Sequence, residues 1–257
     1  PVDGSIGSAQ AVRGLYHIPD GRATRGARAA FETLAAVRST VYNQPTMEAQ
    51  HPARSTGIVF VISGPSGSGK GSVVRPAMEA DSRLGYSVSA TTRPPREGDV
   101  HGRDYWFVST EEFEAMVAAG EMLEHAYYAG HRYGTPKKPV EAAVAEGRDI
   151  LLEIEIQGAR QIRAALPEAV LILLLPPGAR ELSQRLRSRG TDSEAAIMER
   201  EAAYASELAA WPLYDYLVIN DDLDRAIEQF RSVIDAERSR VSRLDIQAFL
   251  DQNYRGV

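Results

Sequence analysis

Ile58–Ile62 reads IVFVI, and Gly64-Pro65-Ser66-Gly67-Ser68-Gly69-Lys70-Gly71-Ser72 follows almost at once. The first stretch is β-branched or aromatic, too short for a helix and apolar at every position. It therefore reads as a strand buried on both faces, as in a parallel sheet. The second stretch sits between that strand and a helical pattern from Ser72 to Ala80. Its glycines let the backbone wrap close to phosphates, so that successive N–H groups and the helix N-terminus meet negative charge. Lys70 would reach the β- and γ-phosphates of a bound nucleotide, and a hydroxyl would face Mg²⁺. Gly71 stands where the strict form of such a loop has Ser or Thr. Ser72 comes one position later, which leaves open whether it meets the metal directly or through water. A glycine-serine turn with an incidental lysine is the alternative, and the strand before and helix after argue against it.

Working outward, Tyr86–Ala90 reads as a second strand and Thr91–Gly102 as a loop rich in Pro, Gly and charge. Tyr105–Val108 reads as a strand, and Ser109 or Thr110 caps a helix over Glu111–Ala119. Gly120–Gly134 is aromatic and punctuated by glycine, which predicts short strands in a small separate lobe. Val140–Ala145 is helical. Asp149–Ile156 (DILLEIEI) predicts a buried strand that carries Glu153 and Glu155, two residues apart and so on one face. Helix Ala159–Ala165, strand Ala169–Leu175 and helices Arg180–Arg189 and Ser193–Ala210 follow, then strand Tyr216–Asn220 and a terminal helix Leu223–Arg243. Strands alternating with helices predict an α/β protein with a parallel sheet.

Composition narrows the field. The chain has 257 residues, 44% hydrophobic and 25% charged, which is ordinary for a globular protein. It contains no cysteine, which excludes disulfides, thiolate metal sites and cysteine nucleophiles and fits a reducing, cytoplasmic setting. No apolar run approaches the roughly 20 residues of a membrane helix. A net charge of −6 argues against general nucleic-acid affinity, so cations for phosphate chemistry must be placed locally. The only lysines are Lys70, Lys137 and Lys138. Residues 1–56, with six arginines against four acids, are expected to form a mobile arm; acids and prolines count against a targeting peptide.

Beyond the loop, SVSATTRPPREGDVHGRDYWFV at Ser87–Val108 closely resembles the signature segment of the guanylate kinase family. The resemblance continues through EMLEHAYYAGHRYGTP, DILLEIEIQGA, LRSRGTDSEAAIMER and YLVIND, from about Gly57 to Arg243. It implies a P-loop NTPase fold with a helix-flanked parallel sheet, a small GMP-binding lobe at about 89–137 and a helical lid at about 179–211. The core would comprise 57–88, 138–178 and 212–243, followed by a tail at 244–257. The implied reaction is ATP + GMP = ADP + GDP with Mg²⁺. ATP and GMP would be the small-molecule partners, with no nucleic acid, membrane or obligatory protein partner.

The chemistry of the residues agrees with that resemblance. Arg93 and Arg96, three apart in a proline-stiffened loop, can clamp a monophosphate bidentately, which lysine cannot. The resemblance adds Tyr105 and Tyr133 to the same phosphate. Guanine presents N1–H and an exocyclic amino group as donors, so an acceptor-only carboxylate suits it and leaves adenine unpaired. The resemblance puts Glu124 and Glu155 on that edge, with Ser89 and Thr135, and Glu153 near Mg²⁺ and its waters. Arg185 and Arg189 share a helix face at i, i+4. The resemblance assigns them and Arg200 to the ATP phosphates, and Asn220 to adenine. Glu201 and Tyr204 depart from the small or apolar residues usual after Arg200. Two other readings share these motifs: a peptide-binding module that has lost catalysis, and a kinase for another monophosphate. The retained Lys70, Arg93, Arg96, Arg185 and Arg189 disfavour the first, and Glu124 and Glu155 disfavour the second.

Overall fold

The computed structural model describes residues 52–54, 56–128, 130–188, 204 and 207–254. Strand β1 (Val59–Ser63) leads into helix α1 (Lys70–Glu79), then β2 (Leu84–Tyr86), β3 (Ala90–Thr91), β4 (Trp106–Phe107) and α2 (Thr110–Ala118). Next come β5 (Met122–Tyr128), β6 (His131–Pro136), α3 (Lys137–Ala145), β7 (Asp149–Glu153), α4 (Ile156–Ala165) and β8 (Val170–Leu175). The chain continues through α5 (Ala179–Ser188), β9 (Tyr216–Ile219), α6 (Leu223–Arg238) and α7 (Ile246–Asn253).

Five strands in the order β2-β7-β1-β8-β9 form a wholly parallel sheet. β1 lies at its centre, where the connections part to either side, so the loop after it opens at the crevice where such sheets bind ligands. The apolar run of β1 is explained by two cores, one on each face. Phe60 and Ile62 join Val73, Val74 and Ala77 of α1 and Ala226, Phe230 and Ile234 of α6. Val59 and Val61 turn the other way, to Val140 and Ala143 of α3 and Ala159 and Ile162 of α4.

A second sheet, β4-β3-β6-β5, is smaller and mixed: β3 and β4 run parallel, and the other pairs are antiparallel. Helix α2 beside it is closed by a reciprocal capping box, Ser109 with Glu112.

Three elements differ from the sequence-based expectation. The strand expected over Tyr86–Ala90 is two strands in two sheets. Ser87 N donates the last bond to the central sheet, to Leu151 O at 2.9 Å, and Ser89 O already accepts from Trp106 N of the small one at 2.9 Å. The strand expected over Asp149–Ile156 stops at Glu153, and Glu155 is instead the N-cap residue of α4. The same-face pairing of Glu153 and Glu155 therefore fails. Ile154 and Ile156 are both buried and continue the apolar pattern, so the pattern alone hides the change from strand to helix. The terminal helix ends at Arg238, and the tail carries α7, whose Asp245 N donates to Ala53 O at 2.9 Å. Of the helix expected over Ser193–Ala210, only Tyr204, Glu207, Leu208, Ala209 and Ala210 lie within the described residues, the first three helical.

Candidate functional site

The loop after β1 is shaped by what its glycines avoid. A β-carbon at Gly64 would lie 2.1 Å from Leu174 O of the neighbouring strand. Gly67 and Gly69 take φ of 91° and 92°, the left-handed region that side chains disfavour. Gly69 is the N-cap residue of α1 and offers no side-chain acceptor, so no side chain caps the first N–H groups of that helix. Among the described residues, the buried Ser68 hydroxyl has no hydrogen-bond partner. A loop of this form offers an anion both backbone donors and a hydroxyl. Gly71 is different: among the described residues nothing lies within 4 Å of a β-carbon placed there, so a side chain would fit. Ser72 is exposed on the first turn of α1.

Lys70 is folded back on its own loop. Its Nζ donates to Gly64 O at 2.7 Å and lies 3.9 Å from Glu155 Oε1. Asn220, buried just beyond β9, donates from Nδ2 to Ser68 O at 2.8 Å, fastening the loop to the last strand. Arg185 donates to Asn220 O at 2.9 Å and to Glu181 Oε1 at 2.9 Å, so α5 is tied to the same place. Arg189, Arg200 and Glu201 lie outside the described residues.

The small sheet gathers the other group. Arg93 is buried, its Nη2 donating to Asp99 Oδ2 at 2.8 Å, with its guanidinium 5.3 Å from the Tyr105 ring and 5.5 Å from the Phe107 ring. Asp99 Oδ2 also accepts from Arg96 N at 2.7 Å, so one carboxylate shapes the whole arginine loop. The Arg96 side chain is exposed, and the Tyr105 and Tyr133 rings stand edge to face at 5.9 Å. Ser89 is half-buried where β3 begins.

Glu124 on β5 is buried, and its Oε1 accepts from the Thr135 hydroxyl at 2.7 Å across the β5–β6 pair. Burial pushes its carboxyl up to about 7, against the pull of the Thr135 hydrogen bond. Glu153 is also raised by burial, with Lys70 opposing the shift. Burial raises the Tyr86 phenol, with Glu153 and Tyr105 adding to it, and raises the Tyr105 phenol, with Tyr133 and Glu153 adding to it. Glu153 thus feels the fields of Lys70 of the loop and of Tyr105, and acts in turn on Tyr86.

Four participants escaped the sequence reading. Asp99 lies in the same loop as the arginines it braces and was findable there. Tyr86 sits at the end of β2, where the strand misreading hid it. Glu207, raised by burial near Glu155 and Lys70, and Tyr214, whose hydroxyl donates to Ser63 Oγ at 3.0 Å, belong to no motif and are brought in only by folding.

The comparisons with known proteins point the same way. The guanylate kinase family model matches residues 57–237. A guanylate kinase of Thermosynechococcus vestitus is 51% identical over 178 residues, covering 69% of this chain and 93% of the relative. One from Thermus thermophilus is 50% identical over 188 residues, covering 73% and 85%. Among solved structures, a guanylate kinase from Anaplasma phagocytophilum superposes with a TM-score of 0.64 at 30% identity, covering 79% of this chain and 97% of that one. With its phosphate loop, buried arginine and buried carboxylate, this chain belongs to the guanylate kinase family.

Proposed function

We propose that the site transfers the γ-phosphoryl group of ATP to GMP, giving ADP and GDP, through the residues gathered around Glu153. The observation that carries this reading is that Lys70 of the phosphate loop lies 3.9 Å from Glu155, while Lys70 and Tyr105 both act electrostatically on Glu153. A phosphoryl transfer needs two polyanions brought together among cations and donors, and little else from the protein.

On the donor side, the loop Gly64–Ser72 holds the ATP phosphates, and Lys70 leaves Gly64 O to meet them. Arg185, with Arg189 and Arg200 of the lid at about 179–211, stabilises the charge that develops, and Asn220 holds the loop as well as bordering the adenine. On the acceptor side, the lobe at about 89–137 binds GMP. Arg93, Arg96, Tyr105 and Tyr133 take its phosphate, and Glu124, Glu155, Ser89 and Thr135 take its base. A phosphate oxygen of GMP then attacks the γ-phosphorus in line as the bond to ADP breaks, with no covalent enzyme intermediate.

Mg²⁺ bound with ATP would supply positive charge against that of the phosphates. The Ser72 hydroxyl and, through water, the Glu153 carboxylate are hard oxygen donors that suit it. Among the described residues no group of three or more acids or histidines could hold a metal alone, and no helix is long and apolar enough to cross a membrane. A cytoplasmic setting suits the substrates.

A coupled assay of ADP formation with GMP, AMP, CMP and UMP tests the reading. GMP is expected to exceed AMP in kcat/KM by about 10²-fold or more, because adenine leaves the buried carboxylate unpaired. Equal or better turnover of another monophosphate would sink it.

A further inference from the structure

Gly158 is the fourth residue from the start of the α4 cap, within a helix, and its φ is not positive. Nothing in its backbone calls for glycine, and alanine there would favour the helix. Its neighbour explains it. A β-carbon at Gly158 would lie 2.3 Å from Glu124 Oε2 and 2.9 Å from Glu124 Cδ. Glu124 is closed in on its other side, where Oε1 accepts from Thr135. Any side chain at Gly158 must therefore move the carboxyl itself.

One turn on, Gln161 fixes the strand that carries Glu124. β5 is the edge strand of the small sheet, and Gln161 pairs with His125 as a neighbouring strand would. His125 N donates to Gln161 Oε1 at 3.1 Å, and Gln161 Nε2 donates to His125 O at 2.7 Å. This two-bond clamp joins the small sheet to a helix of the central one, at the residue beside Glu124.

We propose that Gly158 and Gln161 are positioning residues for base choice: the clamp sets β5 against α4, and the missing side chain at Gly158 admits the Glu124 carboxyl to the place where it meets the acceptor base. The proposal rests on Glu124 as the guanine contact. Gly158 and Gln161 therefore help select the substrate through the placement of Glu124.

Steady-state kinetics of the full chain with ATP and GMP, alongside thermal denaturation, test it in five variants: Glu124→Gln, Gly158→Ala, Gln161→Leu, Glu124→Asp, and Glu124→Asp combined with Gly158→Ala. Gly158→Ala is expected to raise the GMP KM at least tenfold, leave the ATP KM within twofold, and not lower Tm. Gln161→Leu is expected to raise the GMP KM several-fold. Aspartate is one methylene shorter, so adding Gly158→Ala to Glu124→Asp should cost much less than in the parent, a non-additivity that a packing defect would not produce. A lower Tm with both KM values and kcat changed alike, additive in both backgrounds, would overturn the proposal in favour of a structural role. An unchanged GMP KM in Gly158→Ala, with Glu124→Gln raising it, would overturn the proposal and leave the Glu124 reading standing. An unchanged GMP KM in Glu124→Gln would overturn the Glu124 reading itself.

Discussion

Strand β7 carries an acid at each end, Asp149 and Glu153, and their surroundings are opposite. Asp149 is buried and fully matched. Its Oδ1 accepts from Ile58 N at 2.9 Å and Arg54 Nη1 at 2.7 Å, and its Oδ2 accepts from Arg238 Nε at 2.7 Å. Arg238 also pairs with Asp81, whose carboxyl burial would raise but which hydrogen bonds from Arg83 and Arg238 hold well below the usual range. Glu153, four residues along the strand, has no close ion pair among the described residues; Lys70 and Arg75 act on it through their fields, and burial raises it. One end of the sheet cancels its charges, and the other leaves them incomplete. Charges that are already paired hold a fold together. Charges left short of partners are completed by a substrate, and perturbed carboxyls in a crevice mark such a place.

The contrast can be broken most forcefully at Arg238. Arg238→Ala leaves two carboxylates without their shared partner and is expected to cost about 3–5 kcal/mol of stability. Urea denaturation measures this, while kcat/KM for GMP at low temperature should stay within about twofold. An equal loss in catalysis would erase the distinction between the two ends.

Stability against pH sharpens the comparison, because Asp81, paired with Arg238, titrates in the opposite sense to Glu124 and Glu153. Glu124 and Glu153 hold their protons more tightly folded than unfolded, so stability falls as pH rises from the unfolded value near 4.5, for Glu124 up to about 7. For Glu124 the span is on the order of 3 kcal/mol, at 1.36 kcal/mol per unit. Asp81 acts the other way: its contribution is present above the unfolded value near 3.8 and is lost as pH falls below it. Urea midpoints from pH 3 to 8 should show both slopes, and Glu124→Gln should flatten only the upper one.

Smaller effects are expected from two further changes. Glu153→Gln should lower kcat by about ten- to a hundredfold, some 1.4–2.7 kcal/mol, with Tm at pH 8 unchanged or higher. A chain beginning at Gly57 rather than Pro52 loses Arg54 and the Ala53 carbonyl that accepts from Asp245, and should lose about 1–2 kcal/mol with full activity. Equal denaturation midpoints for the two chains would show that the arm contributes nothing.

Legibility followed the range of the interactions. Ile58–Ile62 announces its strand because both faces are apolar, and the glycine loop announces itself because its conformation is written in consecutive residues. Arg93, Glu124 and Thr135 were singled out through motifs; folding sets Glu124 against Thr135 and Arg93 against Asp99 and Tyr105. Glu155 was legible as an acid but not as the cap of a helix, since the isoleucines around it suit strand and helix alike. Glu207, Tyr214, Gly158 and Gln161 were not legible, because each acts on a partner more than thirty residues away or has no motif of its own.

From the sequence alone come the phosphate loop, the α/β class, the family and the chemical types able to hold a phosphate and a guanine. These rest on residue identity and on spacing along a few neighbouring positions. The tertiary structure alone decided which acid is neutralised and which is left raised, where Lys70 rests, and that a glycine on one helix makes room for a carboxyl on a strand of the other sheet. Burial and distance between remote segments govern those outcomes, and neither exists until the chain has folded.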